Sequence, residues 1–240
     1  MIKFFRKIRQ QLITENKFSK YLIYAIGEII LVVFGILIAL QVNNWNQNRI
    51  AEKAEIELTK NILNDLEADK ALYKLNLSEA DMLESLYEKL YRVGVQGLTD
   101  VQIQYPQDIR RIPSYDKVLD TDYSLISDKI SNKDIRKQLL AYNLKQKRLG
   151  VYNQELRSVV VNKMRSFLAE KGMYKLDALF GDKKENIQFI DESELKELSK
   201  NQEFQQLMFA AKLKLGHLKE KLKELVNTNK ELSSLIKKNI

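Results

Sequence analysis

The apolar positions of this chain fall into one unbroken block followed by spaced stripes. Between Tyr21 and Val42 the run YLIYAIGEIILVVFGILIALQV is apolar on every side of a helix, and Glu28 is its one charged residue. At about 1.5 Å per residue the run makes about 33 Å of helix, enough for a hydrocarbon core of about 30 Å. From Arg49 to Val93 there is neither proline nor glycine, and Leu58, Ile62, Leu66, Leu72, Leu75, Met82, Leu86, Leu90 and Val93 recur at helical spacing. That pattern predicts an amphipathic helix over about residues 49–93 continuing directly from the span, with Gly94 to Gly97 supplying a stop.

Residues 98–130 hold both prolines, Pro106 and Pro113, and read as an irregular linker. Val101, Ile103 and Tyr105 alternate as a short strand does, as do Ile187 and Phe189 in the second linker, so a small strand pair between the linkers is one option. A capping pattern at Ser131-Asn132-Lys133-Asp134 opens a second helix over about 132–171, with Gly172 as its stop. Its seam of Ile135, Leu139, Tyr142, Leu149, Leu156, Val160 and Phe167 is interrupted by Gln146, Asn153 and Lys163. The linker over about 172–200 contains a short helix at Glu192–Leu198.

The third helix, about 201–238, has the most regular stripe. Phe204, Met208, Ala211, Leu215, Leu218, Leu222, Leu225, Asn229, Leu232 and Ile236 step by four and three without a miss. Such a seam packs as a coiled coil does, either inside one chain or between chains, and Asn229 falls at a position where a buried amide fixes register. The expected fold is therefore all-α: a transmembrane helix at 21–42 continuing into an up-down-up, coiled-coil-like bundle of long helices over 43–240.

Charge gives the span an orientation. The net charge is +8, and Met1–Lys20 carries six basic residues against Glu15 alone, so little excess is left for a phosphate-tracking surface elsewhere and nucleic acid is not an expected partner. Basic residues are retained on the cytoplasmic side, which places the N-terminus there and the large C-terminal part outside, the span acting as an uncleaved signal anchor. Tyr21, Tyr24 and Trp45 sit where aromatic rings favour the headgroup region. Within the basic segment, Ile2, Phe5, Ile8 and Leu12 recur at helical spacing; this fits either an interfacial amphipathic helix or a merely topogenic tail.

The residues FFRKIRQQLITENKFSKYLIYAIGEIILVVFGILIALQVNNWNQNR, Phe4 to Arg49, resemble the N-terminal signature of an uncharacterised family of single-span bacterial envelope proteins, a domain of unknown function. The resemblance implies a Gram-negative inner-membrane setting and carries no reaction or ligand.

A carboxylate near the bilayer centre costs about 2.5–3.5 kcal/mol on insertion scales. At 100° per residue, Gly35 and Ala39 lie within about 20° of Glu28, so one face joins a polar group to two small residues and invites close approach of a second helix. The alternatives are a protonated or headgroup-reaching Glu28, and a proton-responsive carboxylate in a motor or transporter accessory.

Motifs for catalysis are weak. There is no cysteine, and His217 is the only histidine, so metal and imidazole chemistry have little material and no cofactor is expected. Glu57, Asp65, Glu67 and Asp69, with Lys60 and Lys70 among them, read as a solvated helix face. The sequence points to a non-enzymatic membrane-anchored interaction protein whose partners are the lipid bilayer and a second copy or another envelope protein. The rival readings are the proton-responsive accessory and a ligand-sensing bundle with a pocket shaped by linker 98–130.

Overall fold

The computed structural model describes residues 18–119, 126–181 and 188–240. The elements are α1 (Phe18–Gly94), a 3-10 turn (Pro106–Arg110), a second 3-10 turn (Ser127–Lys129), α2 (Lys133–Arg157), a π-helical stretch (Ser158–Met164), α3 (Arg165–Glu170), α4 (Asp177–Phe180), α5 (Glu192–Leu198) and α6 (Gln202–Lys237). The fold is all-helical, as expected, and no strand occurs among the described residues. Of the supposed strand pair, Ile187 lies outside the described residues, and two of the remaining peptide groups are used otherwise: Ile103 N–H donates to Glu192 Oε1 at 2.8 Å, and the Phe189 carbonyl accepts from Lys175 N–H at 2.9 Å.

The chain divides into two compact units, Met1–Glu57 and Leu58–Ile240. In the first, α1 buries nothing. Every large apolar side chain from Leu22 to Val42 is exposed, Phe34 by 60% and Leu31 by 69%. At about 1.5–3 kcal/mol for each such side chain left in water, a helix apolar all round needs lipid or another helix around it. By length and composition α1 is able to cross a membrane.

The second unit is a bundle of three long helices. Its core runs along α1 through Ile62, Leu66, Tyr73, Ala80, Leu83, Tyr87 and Leu90, and along α6 through Phe204, Met208, Ala211, Leu215, Leu218, Leu222, Leu225, Leu232 and Ile236. The observed α1 seam departs from the predicted one. Leu75 and Met82 are more than half exposed, whereas Asp69, Tyr73 and Asn76 are buried.

The helix directions also depart from up-down-up. Asp69 meets Tyr142 and Tyr73 meets Gln146, a step of four on both helices, so α1 and α2 run parallel. Helix α6 runs antiparallel to both, with Lys212 at Glu88, Lys237 at Glu67, Lys214 at Glu155 and Lys145 at Thr228. The cause is the first linker. Residues 98–119 contain the 3-10 turn Pro106–Arg110 and otherwise run back along the bundle as a strap: Ser114 N–H reaches Glu79 and Val118 N–H reaches Asp69. From Gly94 back to Asp69 is about 38 Å of helix; extended chain covers up to about 3.3 Å per residue, so the strap makes the return and α2 starts at the same end as this part of α1.

The strap leaves α1 through Gly97, whose φ of +72° is a left-handed conformation suited to glycine. Ile103, Ile109 and Leu119 anchor it in the core. Helix α2 is capped by Asn132, one residue after Ser131, where the predicted capping pattern begins, its side chain accepting from the N–H groups of Asp134 and Ile135. The π-helical stretch explains the break of the second seam at Lys163: its wider turn advances the register, so Met164 is buried while Lys163 is exposed. Helix α5 occupies Glu192–Leu198, as predicted, with Asp191 as N-cap.

Candidate functional site

Two sets of residues merit description, one in each unit. In the first unit, Glu28 is half-buried and Ala39 exposed. A Cβ placed on Gly35 meets nothing within 4 Å, so the surface there is open. Tyr24 is half-buried, and the side chain of Tyr21 lies outside the described residues, as does the basic segment 1–17. Trp45 is 62% exposed and carries the Arg49 guanidinium 5.4 Å from its ring centroid, while Arg49 also donates to Asn46 Oδ1 at 3.2 Å. Cation–π contact and amide together hold an amphipathic group just past the apolar block.

In the second unit, the seam residues Met208, Leu215, Leu218, Leu222, Leu225, Asn229 and Leu232 are all buried within the one chain. At Asn229 the core turns polar, through residues from all three long helices. Asp69, which reads from sequence as solvated, is fully buried. Its Oδ1 accepts from the Val118 and Leu119 N–H groups at 2.6 and 3.4 Å, and its Oδ2 accepts from the Tyr142 hydroxyl at 2.7 Å and Gln146 Nε2 at 3.2 Å. Gln146 Nε2 also donates to the Tyr73 hydroxyl at 2.9 Å. The Tyr73 and Tyr142 hydroxyls are 3.3 Å apart; with the Tyr142 proton on Asp69, Tyr73 is left to donate across that gap. Asn229 Nδ2 donates to the Leu66 carbonyl at 2.9 Å and the Tyr142 hydroxyl at 3.2 Å.

The strap closes this layer from outside. Besides the two N–H groups on Asp69, the Tyr115 hydroxyl donates to the Gln146 carbonyl at 2.5 Å. Burial pushes the Tyr73 hydroxyl up to about 12 and raises that of Tyr142 further, the neighbouring Tyr73 adding to the effect. Both phenols are therefore protonated donors at neutral pH. The layer binds strap, α1, α2 and α6 together, and Asp69, Tyr73, Tyr142, Gln146 and Asn229 are all buried.

At the bundle surface, Lys219 bridges Asp81 and Glu84, which raise its ammonium pKa. The Asp191 carboxyl is held below the usual carboxylate range chiefly by Lys175, then by Ser193 and the N–H groups it caps. His217 is exposed and meets the edge of Tyr152 at a centroid distance of 6.4 Å. Among the described residues no three His, Cys, Asp or Glu side chains gather as metal ligands.

The arrangement defines a class: an α-helical protein with one span-length apolar helix and a strapped three-helix bundle. Residues 28–111, from Glu28 through the rest of α1 to Arg111 of the strap, match the model of a family described as a family of unknown function, DUF6090. The resemblance seen in Phe4–Arg49 thus points to an uncharacterised family, and the match extends well beyond the span. No curated protein and no solved structure matches the chain.

Proposed function

We propose that this protein is a single-pass, non-enzymatic interaction protein of the bacterial inner membrane. Its N-terminus is cytoplasmic, its helical bundle periplasmic, and its span associates with the span of a second copy. The observation that carries the reading is the first part of α1: apolar on all sides, buried nowhere in the chain, and open at Gly35 on the stripe that holds Glu28 and Ala39. Small residues admit a second backbone, and a polar group on the same face is relieved by a partner helix more readily than by lipid. The bundle supports a binding role over catalysis, since its polar layer is enclosed and joins structural elements.

Cysteine crosslinking along the span in native membranes tests the association. Span-to-span adducts are expected on the Gly35 face and lost in Glu28→Leu and Gly35→Leu; adducts unchanged in both variants refute the contact. Adducts to a different polypeptide on that face identify a heterologous partner in place of the second copy. Protease added to sealed spheroplasts is expected to remove the bundle, and an untouched C-terminal part overturns the orientation.

A further inference from the structure

Two amides sit in the apolar seams of the bundle without belonging to the layer around Asp69. Asn76 follows Tyr73 by three residues on α1 and is 3% exposed, and its Nδ2 is buried with no hydrogen-bond partner. Asn153, seven residues after Gln146, is half-buried and is the remaining polar break in the α2 seam. Gln146 is accounted for by its bonds to Asp69 and Tyr73, and Lys163 by the π-helical stretch. Neither account reaches Asn153.

Asn76 and Asn153 line one small cavity inside the bundle. Leu149 of α2 and Leu218 and Leu222 of α6 give it apolar walls, and strap residues 113–115 complete its lining. The same strap residues, with Asn153, also line a groove between strap and α2, so the strap is here a partition between the cavity and the surface. The space open to the centre of a water-sized sphere is about 10 Å³, room for a single water and for nothing larger. A cavity lined only by hydrocarbon stays dry, and a buried amide N–H without an acceptor is unfavourable. This wall carries amides from two different helices, which is the setting in which a buried water is held.

We propose that this cavity binds one ordered water, which accepts from Asn76 Nδ2 and bonds to the Asn153 amide, so that a water bridge joins α1 to α2 beneath the strap. Water both donates and accepts, so the bridge forms with either orientation of the Asn153 amide. Such a bridge is enthalpically nearly as good as a direct hydrogen bond. It gives Asn76 the acceptor it lacks, and it gives the third polar break of the α2 seam a reason. The site is independent of the association proposed for the span, since every residue in it belongs to the second unit.

The test is magnetisation transfer from water to the asparagine side chains of the full chain in detergent micelles. The side-chain NH2 groups are observed through a nitrogen-15 label, and that of Asn76 is assigned through its Cβ protons. Cross-peaks of opposite sign in the laboratory and rotating frames mark dipolar contact with a water held for longer than surface hydration, whereas peaks of equal sign mark proton exchange. The Asn76 NH2 is expected to show the dipolar contact. Asn153→Leu completes the apolar seam of α2 and removes the second partner of the water, so the contact is expected to be lost while the Asn76 signals remain. An Asn76 NH2 in the parent protein that shows exchange alone, or no transfer, overturns the site. A contact of parental intensity in Asn153→Leu overturns the bridge.

Discussion

Replacing Asp69 by alanine is the sharpest perturbation of the buried layer. Four donors converge on this carboxylate, and they are not equally able to find another acceptor. Gln146 Nε2 keeps the Tyr73 hydroxyl at 2.9 Å, and the Tyr142 hydroxyl is able to turn toward Tyr73 at 3.3 Å. The Val118 and Leu119 N–H groups have no second acceptor: each donates to Asp69 Oδ1 alone. A buried donor left unsatisfied costs about 1–3 kcal/mol. Taking the middle of that range for Val118, whose bond is only part-buried, and the lower part for the buried but longer Leu119 bond at 3.4 Å, with a partial loss at Tyr142, the sum is about 3 kcal/mol. Truncating one side of a buried charged network costs about 3–5 kcal/mol in general, so the two routes agree. The control is Glu67→Ala two residues away, whose ion pair with Lys237 is exposed and is worth at most about 1 kcal/mol. Chemical unfolding monitored by circular dichroism measures the difference. Hydrogen exchange adds a local readout, in which the amides of strap residues 114–119 lose protection while those of α6 keep most of theirs. If Asp69→Ala unfolds at the same denaturant concentration as Glu67→Ala and the strap amides stay protected, the reasoning fails.

The remaining predictions concern backbone packing and pH. A Cβ on Gly94 lies 2.0 Å from the Ser199 carbonyl oxygen and 2.4 Å from its carbon, so Gly94→Ala is expected to destabilise by about 1–3 kcal/mol despite alanine's better helix propensity. Gly216→Ala meets nothing within 4 Å on α6 and is expected to stabilise by about 1 kcal/mol; thermal midpoints that move the same way in both variants refute the distinction. The folded-state Tyr73 pKa lies above its unfolded value of 10, so the unfolded chain releases that proton first. The associated stability is intact below pH 10 and is lost as pH rises from 10 toward about 12. Tyr73→Phe is expected to lose about 1 kcal/mol less than the parent between pH 9 and pH 11, by denaturant unfolding at the two pH values; equal losses refute the assignment.

Helix type and extent were legible because the chain marks them with periodicity and punctuation. The four-and-three stepping from Phe204 to Ile236 is realised position by position, and the ends of α2, α5 and α6 coincide with side-chain caps at Asn132, Asp191 and Asn201. The layer around Asp69 was hidden by the assumption that a carboxylate among lysines faces water. Stepping by three and four from Leu66 passes through Asp69, Tyr73, Asn76, Ala80, Leu83, Tyr87 and Leu90, all buried, so the signal was present in spacing and masked by polarity. Gln146 was hidden in the same way: it reads as a break in the second seam and is instead one of the bonds that close it. The direction of α2 had no sequence signal at all. It depends on whether residues 98–119 turn or run back, and the two prolines are compatible with either.

Asn229 shows why polarity within this layer cannot be treated as one quantity. Like Asp69 it is fully buried, yet its satisfaction is poorer and its neighbours depend on it less. Its Oδ1 has no hydrogen-bond partner. Of the two acceptors of its Nδ2, the Leu66 carbonyl lies inside α1, where the helix's own N–H groups serve it, and the Tyr142 hydroxyl still donates to Asp69 if the amide is removed. Asn229→Leu therefore deletes an unsatisfied buried oxygen, orphans nothing, and completes the apolar stripe of α6. It is expected to be neutral or to stabilise by about 1–2 kcal/mol, opposite in sign to Asp69→Ala in the same layer. The cost falls on register: a stripe without a polar position allows α6 to slip by a turn against α1 and α2, so cysteine pairs placed at Glu67 with Lys237 and at Glu88 with Lys212, native neighbours, are expected to crosslink less selectively in the variant. A variant that loses more than about 2 kcal/mol of stability while keeping the native crosslinks shows that the amide works through its hydrogen bonds, and the register argument then falls.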